Sequence, residues 1–358
     1  MEDRADVVLE KVTKVFGDVV AVDDISLNIR KGEFFSLLGP SGCGKTTTLR
    51  IIGGFERPTN GKVYVGGQLM NDVPAYERPV NTVFQSYALF PHLTVQGNIA
   101  FGLKLTGMGK AEIEERVRRV LDLVDLPGFG DRKPSQLSGG QRQRVALARS
   151  LVLEPTVLLL DEPLGALDLR LRKQMQVELK NLQEKLKITF LYVTHDQEEA
   201  LAMSDRIGVM NNGRLEQVAN AEDIYERPKT RFVAGFIGET NVITGRKGVS
   251  KEGDHLEVEG LVIEIPRTSA PRAEGDDVSI SIRPEKISMG NSLQLSNCFP
   301  AKIVDEIYKG SFSTFIMELE NGLRIRVERQ MREMSSNFAI GDQVVIGWAP
   351  ESCIILED

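Results

Sequence analysis

Cysteine and long apolar runs are scarce in this sequence of 358 residues. The three cysteines are Cys43, Cys298 and Cys353, and no CxxC pair occurs. An odd number of widely spaced cysteines argues against a disulfide framework or a zinc site and favours a reducing compartment. No apolar run approaches the ~20 residues that a membrane-spanning helix requires.

The amino-terminal residues contain neither the basic nor the apolar segment of a signal peptide, so we expect no targeting sequence. The formal net charge of −7 argues against general nucleic-acid binding through a basic surface, and we expect no nucleic-acid partner. A role at a membrane would therefore require attachment to another protein.

The length suggests two domains. Up to about residue 237, short strand-like runs alternate with amphipathic helical patterns, which predicts an α/β domain with a largely parallel sheet covered by helices. From residue 238 onward, short β-rich runs separated by glycine and asparagine turns predict a small all-β barrel or sandwich. The predicted domains are 1–237 and 238–358, with the junction at 226–240.

Several individual elements are predicted from these patterns. The strand-like runs of the first part are 34–38, 63–65, 157–160 and 190–193. Its clearest amphipathic helices are 110–126 and 168–186. The strand-like runs of the second part are 261–265, 278–282, 312–319, 323–327, 344–348 and 353–356.

The strongest local signal is a glycine-rich segment between the strand-like run 34–38 and a helix-like run at 47–52. It matches GxxxxGK[ST], a pattern whose backbone N–H groups surround phosphate oxygens at a helix N-terminus. The lysine of this pattern reaches the β- and γ-phosphates, and the final hydroxyl binds Mg²⁺. The predicted nucleotide-binding residues are Gly39, Pro40, Ser41, Gly42, Cys43, Gly44, Lys45, Thr46 and Thr47.

Two acidic residues, Asp161 and Glu162, follow four apolar residues at 157–160. The run predicts a buried strand that ends at the carboxyl edge of the sheet, where open α/β sheets bind ligands. We expect Asp161 to hold Mg²⁺ through water and Glu162 to orient and deprotonate the attacking water. Many strands end in solvated acids, so this pattern gains its weight from the phosphate loop upstream.

The segment 137–141 reads Leu-Ser-Gly-Gly-Gln and leads into a helix-like run at 142–153. Ser138 and Gln141 have the spacing of a capping box, which by itself only starts a helix. A capped N-terminus fronted by Gly139 and Gly140 can also present backbone donors and a hydroxyl to phosphate. The two interpretations are compatible.

Together, the phosphate loop, the segment 137–141 and the two acids resemble the signature set of ABC ATPases. The resemblance implies a P-loop NTPase domain with an inserted helical subdomain at about 86–155, and ATP and Mg²⁺ as cofactors. It also implies that a second copy of the chain completes each site, because Lys45 of one copy then faces Ser138, Gly139 and Gly140 of the other. ATP closes this dimer, and hydrolysis reopens it.

Other residues match further positions of the family in the same order. Phe16 resembles the aromatic residue that stacks on adenine, and Gln85 resembles the glutamine that reaches Mg²⁺ and the attacking water. Asp168 lies in a segment, 165–168, that resembles the D-loop, although Gly165 stands where the family commonly has serine. His195 resembles the switch histidine that contacts the γ-phosphate. The resemblance therefore implies Glu162, His195, Lys45 and Gln85 as catalytic residues, with Thr46, Gln85 and Asp161 at the metal.

The β-rich part contains Ser-Ile-Arg-Pro-Glu-Lys-Ile at 281–287 and is similar to the OB-like (TOBE) accessory domain of importer ATPases. Within that group, the segments 80–92, 203–207 and 232–239 look most like the spermidine/putrescine importers. The resemblance implies a peripheral ATPase subunit at the cytoplasmic face of the cell membrane. Its partners would be two transmembrane permease subunits, contacted between Gln85 and Pro91, and, indirectly, an external solute-binding protein.

The sequence leaves three alternatives open. The same machinery could import another solute, such as ferric iron, a sugar or sulfate, because specificity in this group lies in the permease and the binding protein. A soluble ABC ATPase acting on nucleic acid or the ribosome fits less well, since the chain has one motif set, no coiled-coil heptads and an acidic balance. The β-rich domain could in addition sense a small molecule or a protein.

Overall fold

The computed structural model describes residues 5–165, 167–249, 253–267, 273–330 and 338–358. They form two compact units, of which the first ends at Ala221 and the second begins at Glu222. In the first unit, the strands are β1 (Ala5–Phe16), β2 (Val19–Arg30), β3 (Phe34–Leu38), β4 (Asn60–Val65), β5 (Gln68–Leu69), β6 (Val80–Val83), β7 (Val157–Asp161), β8 (Thr189–Thr194), β9 (Arg206–Asn211) and β10 (Arg214–Ala219). The described helices of the chain are α1 (Lys45–Gly53), α2 (Val95–Leu105), α3 (Lys110–Leu123), α4 (Gly139–Leu151), α5 (Leu169–Leu186), α6 (Gln197–Met203), α7 (Ala221–Glu226) and α8 (Arg231–Phe236).

The strands of the first unit form two sheets. An antiparallel sheet has the order β2-β1-β4-β5, and a second sheet has the order β10-β9-β3-β8-β7-β6. In the second sheet the pairings among β9, β3, β8, β7 and β6 are parallel, and β10 pairs antiparallel with β9. The predicted parallel sheet is therefore confirmed, with one antiparallel edge strand.

The parallel sheet is covered on both faces, because its central strands are apolar at every position. All residues of β3 and β8 are buried. Successive side chains of a strand point to opposite faces. Accordingly, Phe190 and Tyr192 join one core, and Leu191 and Val193 join the other.

The helices α2, α3 and α4 lie between two neighbouring strands of this sheet, β6 and β7. Val80 pairs with Val157, so the chain leaves the sheet after β6 and returns directly beside it. The apolar face predicted for α3 is buried, as at Ile113 and Val117. Helix α3 ends earlier than predicted, because Asp125 takes a φ of +54°, which a helix cannot accommodate.

Among the described residues, no helix combines the length and the apolar character needed to cross a bilayer.

The second unit contains two antiparallel sheets. Their strands are β11 (Asn241–Val249), β12 (Asp254–Val258), β13 (Leu261–Ile265), β14 (Asp277–Ile282), β15 (Ser288–Gly290), β16 (Asn297–Tyr308), β17 (Phe312–Leu319), β18 (Arg324–Gln330), β19 (Gln343–Trp348) and β20 (Ile354–Ile355). One sheet has the order β13-β12-β11-β14-β20 and the other β15-β19-β16-β17-β18. A single core joins Leu256 and Ile280 of the first sheet to Ile303 and Phe315 of the second.

The division between the units falls sixteen residues before the sequence-based boundary at 237, since the first unit ends at Ala221. The physical reason is Arg283, on the second unit. Its Nη1 donates to the carbonyl oxygen of Ala234 at 3.1 Å, and its Nη2 donates to that of Tyr225 at 2.8 Å. Helices α7 and α8 are thereby held against the β-rich part, which apolar periodicity alone does not reveal.

The core of the second unit can be tested with Trp348, the one tryptophan of the chain, which is 1% exposed there. Phe315 lies in the same core and is 0% exposed. We expect Phe315→Ala to destabilise this unit by about 3–5 kcal/mol, because it leaves a cavity. Denaturant titration followed by tryptophan fluorescence should show the transition at a lower concentration. Tyr308→Ala, at a 66% exposed position, is the control and should leave the midpoint unchanged. Equal midpoints for both variants would contradict the packing.

Candidate active site

The phosphate loop connects β3 to α1. Gly44 caps α1 with a φ of +104°, where a side chain is strained, and a Cβ there would collide with the carbonyl oxygen of Ala21. In the part of the chain that the structure describes, no side chain caps this helix end. The N–H groups of the first turn therefore remain available to an anion, and the helix dipole favours negative charge there.

The side chain of Lys45 lies inside the curve of this loop and is 5% exposed. Its Nζ donates to the carbonyl oxygen of Gly39 at 2.7 Å and to that of Pro40 at 2.9 Å. It also lies 3.7 Å from the Sγ of Cys43, which is buried. The ammonium group is thus held at the loop that the sequence predicts to bind phosphate.

Asp161, at the end of β7, meets the first turn of α1. The Oγ1 of Thr46 donates to the Oδ1 of Asp161 at 3.2 Å. Burial raises the pKa of Asp161, the hydrogen bond from Thr46 opposes that shift, and the neighbouring charge of Glu162 adds to it. A hydroxyl and a carboxylate that the sequence assigns to one metal site are therefore adjacent.

Glu162 lies between side chains that follow two other strands. Its Oε1 is 3.1 Å from the Nδ1 of His195, and its Oε2 accepts from the Nε2 of Gln85 at 3.4 Å. The carboxyl ends of parallel strands meet at one edge of a sheet, and β6, β7 and β8 are neighbours. Glu162 itself has a φ of +45°, and its N–H donates to the carbonyl oxygen of Val193 at 3.0 Å.

The segment 137–141 forms the predicted capping box at the start of α4. The Oγ of Ser138 accepts from the N–H of Gln141 at 3.3 Å, and the Oε1 of Gln141 accepts from the N–H of Ser138 at 2.9 Å. A Cβ on Gly140 would lie 3.2 Å from the Cδ1 of Leu171, so the glycines allow close packing against α5. Between described residues, no hydrogen bond or ion pair joins this segment to the phosphate loop.

Two other predicted residues lie at the periphery. Phe16 ends β1 and is 44% exposed, with the Nζ of Lys14 lying 4.6 Å from its ring centroid. Asp168 caps α5, since its Oδ1 accepts from the N–H of Leu171 at 3.0 Å. In the same segment, a Cβ on Gly165 would lie 3.4 Å from the Nε2 of Gln85, so a serine there would contact that amide. Ala166 lies outside the described residues.

A buried polar network beside His195 was missed from the sequence. The Oε2 of Glu199 accepts from the hydroxyls of Tyr192 at 2.6 Å and Thr194 at 2.8 Å. Burial raises the pKa of Glu199 and holds that of Tyr192 well above its usual range. The only advance signal is the spacing of Glu199 from Asp196, which is that of a helix cap. Its contacts with β8 follow from the tertiary fold.

Arg172 connects this network to the segment 165–168. Its Nη1 lies 3.2 Å from the Oδ2 of Asp196, and its Nη2 donates to the carbonyl oxygen of Leu167 at 3.2 Å. Its Nε is 3.8 Å from the Oε1 of Glu199. The residues on both sides of His195 are thereby tied to the start of α5.

Family profiles match both parts of the chain. The profile described as "ABC transporter" matches residues 22–165, and the profile described as "TOBE domain" matches residues 280–356. The chain is similar to two solved ATP-binding proteins. One is the ATP-binding cassette MJ0796, in a dimeric post-hydrolysis state bound to ADP and Pi, with 36% identity, a TM-score of 0.53, and coverage of 60% of this chain and 98% of that one. The other is cbiO1 from Clostridium perfringens, with 29% identity, a TM-score of 0.57, and coverage of 62% and 90%.

Curated relatives are similar over nearly the whole length. The spermidine/putrescine import ATP-binding protein PotA of Rubrobacter xylanophilus is 54% identical, with 97% of this chain and 93% of that protein covered. The protein of the same name from Nostoc sp. is 53% identical, with 90% and 86% covered. This likeness spans the phosphate loop, the helical insertion and the β-rich unit. The chain belongs to the ABC transporter family of ATP-binding proteins.

Proposed function

We propose that this chain is the ATP-hydrolysing subunit that energises import of polyamines of the spermidine/putrescine type. The observation that carries the proposal is a likeness of 54% identity over both units to a spermidine/putrescine import ATP-binding protein. The geometry of the site supports the hydrolytic part, because the phosphate loop, the carboxylates and the histidine converge where parallel strands end. The alternative cargoes have no comparable support.

In this proposal, each residue around Glu162 has a distinct task. Lys45 neutralises the β- and γ-phosphates, and Glu162 accepts a proton from the attacking water. Gln85 orients that water, while His195 contacts the γ-phosphate. Phe16 stacks on the adenine with the exposed face of its ring. Because Gln85 and His195 both contact the carboxylate of Glu162, the base has a defined orientation before substrate arrives.

The residues at the phosphate loop fit Mg²⁺. Thr46 and Asp161 offer oxygen ligands, which this ion prefers, and a bound cation would offset the cost of burying the Asp161 carboxylate. Within the described ranges, no cluster of three or more histidine, cysteine or acidic residues could hold a metal by itself. Mg²⁺ often completes its shell with water and substrate phosphates, so few protein ligands suffice. The ion would supply charge neutralisation at the phosphates.

A second copy of the chain completes each site in this proposal. The capped N-terminus of α4 presents Ser138, Gly139 and Gly140, yet it has no bond to the phosphate loop of its own chain among described residues. The similar cassette MJ0796 forms a dimer. Shifting an open-to-closed ratio from 1:99 to 99:1 takes about 5.5 kcal/mol of differential binding, and two ATP molecules, each held from both sides, could provide it.

Permease subunits would contact the surface between Gln85 and Pro91. The structure divides the apolar residues of this region. Tyr87 is 7% exposed and belongs to the core, whereas Phe84 is 37% exposed. Phe101 of α2 is exposed as well, with its ring centroid 4.6 Å from that of Phe90. This apolar surface suits two transmembrane subunits, one on each copy, with an external solute-binding protein delivering the cargo and the ATPase peripheral at the cytoplasmic face.

Glu162→Gln tests the general base. The amide keeps the shape of the side chain but cannot accept the proton, so we expect ATP binding to persist and hydrolysis to fall about 10²- to 10⁴-fold. Phosphate release and equilibrium binding of a fluorescent ATP measure the two properties. Glu198→Gln neutralises an exposed carboxylate near His195 and should keep normal hydrolysis. Wild-type turnover by Glu162→Gln would exclude Glu162 as the base.

Asp161→Asn tests the cost of the buried carboxylate. Burial raises the pKa of Asp161 above 3.8, so the ionised form is less favourable in the folded protein than in the unfolded chain. That penalty is present above the folded pKa and disappears below 3.8. Without nucleotide, we expect the variant to melt at a higher temperature than wild type at pH 7, with the difference closing towards acid pH. Hydrolysis should be lost. A lower melting temperature at pH 7 would contradict this account.

Transport measurements test the cargo. The complex of this chain with its permease and binding protein, in lipid vesicles with ATP inside, should accumulate labelled spermidine or putrescine. Unlabelled polyamines should compete, whereas ferric iron, sulfate and maltose should not. ATP hydrolysis that responds to one of those solutes and not to polyamines would replace the cargo while retaining the ATPase assignment.

A further inference from the structure

The loop 84–90 has a strained backbone directly after Gln85. Two consecutive residues other than glycine, Tyr87 and Ala88, have φ values of +61° and +46°. Side chains disfavour this left-handed region, and residues remain there only when surrounding contacts impose it. The loop therefore depends on contacts that hold it in this conformation.

Arg149, in the last turn of α4, provides such contacts. Its Nη1 donates to the carbonyl oxygen of Ala88 at 2.6 Å, and its Nη2 donates to that of Tyr87 at 2.8 Å. The same guanidinium lies 5.7 Å from the ring centroid of Phe90. Because the donors of arginine form a rigid planar fork, both left-handed residues are fixed relative to α4.

The opposite end of α4 carries the segment 138–140. The helix has 13 residues, which corresponds to about 20 Å at 1.5 Å per residue. Its middle is closely packed, since Val145, Ala146 and Ala148 are each 0% exposed. Packed interiors deform little, so α4 moves as a unit, and a displacement at Arg149 is transmitted to Ser138.

Buried polar groups lie without partners on the same two elements. Within the described part of the chain, the hydroxyl of Tyr87 and both amide atoms of Gln143 are buried and form no hydrogen bond. Gln143 lies on α4 and is 0% exposed. Such groups are rare in native interiors, and a second arrangement of the loop and helix that satisfies them would be accessible.

We propose that Arg149 is a positioning residue that couples the loop 84–90 to the end of α4 that contacts nucleotide in the second copy. A permease that displaces the loop moves the carbonyl groups of Tyr87 and Ala88, and Arg149 passes this movement to α4. Ser138 and Gly139 then approach or leave the phosphate loop of the other copy. The inference rests on the proposed function, because it requires a permease to act on the loop.

The test compares Arg149→Met with Arg149→Lys in the complete complex in lipid vesicles. Methionine removes both hydrogen bonds, and lysine keeps the charge but replaces the fork with one nitrogen. In the detached subunit, we expect kcat and KM for ATP to stay within about twofold of wild type. In the complex, the stimulation of hydrolysis by loaded binding protein should fall about tenfold with methionine and less with lysine. Uptake of labelled solute should fall in parallel.

Arg144→Met is the matched control, because it makes the same change on the same helix. Arg144 pairs with Glu178 and makes no recorded contact with loop 84–90 among described residues. This variant should retain the wild-type ratio of stimulated to basal hydrolysis. If Arg149→Met fails to fold, as judged by thermal unfolding, Arg149→Lys carries the comparison.

The outcomes separate the inference from the function on which it rests. Full stimulation in both Arg149 variants, with wild type also stimulated, overturns the coupling role and leaves the proposed function intact. Equal losses of basal and stimulated hydrolysis also overturn it, since they indicate a merely structural role. No stimulation of the wild-type complex by any solute overturns the proposed function, and the inference falls with it.

Discussion

The site depends on one constraint of the parallel sheet, which is that neighbouring strands end at a common edge. Strands β6, β7 and β8 each release a polar residue there, and the carboxylate of Glu162 accepts contacts from Gln85 and His195. The strands are apolar and buried, so the edge is fixed by the core and not by the polar residues themselves. Asp161 extends the same edge to Thr46 in the first turn of α1.

The helical insertion gives this rigid edge a movable counterpart. It leaves the sheet after β6 and returns at β7, so its attachment points lie beside Gln85 and Glu162. One of its helices, α4, presents a capped N-terminus for nucleotide at one end and holds the loop after Gln85 at the other. A chain that binds ATP on its sheet edge and offers a phosphate-binding helix end elsewhere is suited to working in pairs. Arg172 makes a similar connection within the site, between α5 and the residues around His195.

Much of this arrangement is predictable from the sequence, because local patterns with a clear period or spacing define it. The strands at 34–38, 261–265 and 312–319 have the predicted bounds, and the capping box of Ser138 is present. The long hairpin of β1 and β2 was missed, since its charged and bulged strands lack simple alternation. The contacts of Arg149 and Arg172 were missed for another reason. Each joins segments that are distant in sequence, or backbone carbonyl groups that no residue type reveals.

The central claim is that Ser138 of one copy completes the phosphate loop of another, and a cross-link between copies tests it most directly. Ser41 and Ser138 are both exposed. Each is changed to cysteine in a separate Glu162→Gln chain whose Cys43, Cys298 and Cys353 are serine, and the two chains are mixed with a short bifunctional thiol reagent. The account predicts a cross-linked pair of chains that forms with Mg-ATP and is absent without nucleotide. Absence of cross-linking with Mg-ATP, together with efficient cross-linking within a single chain that carries both cysteines, would contradict it.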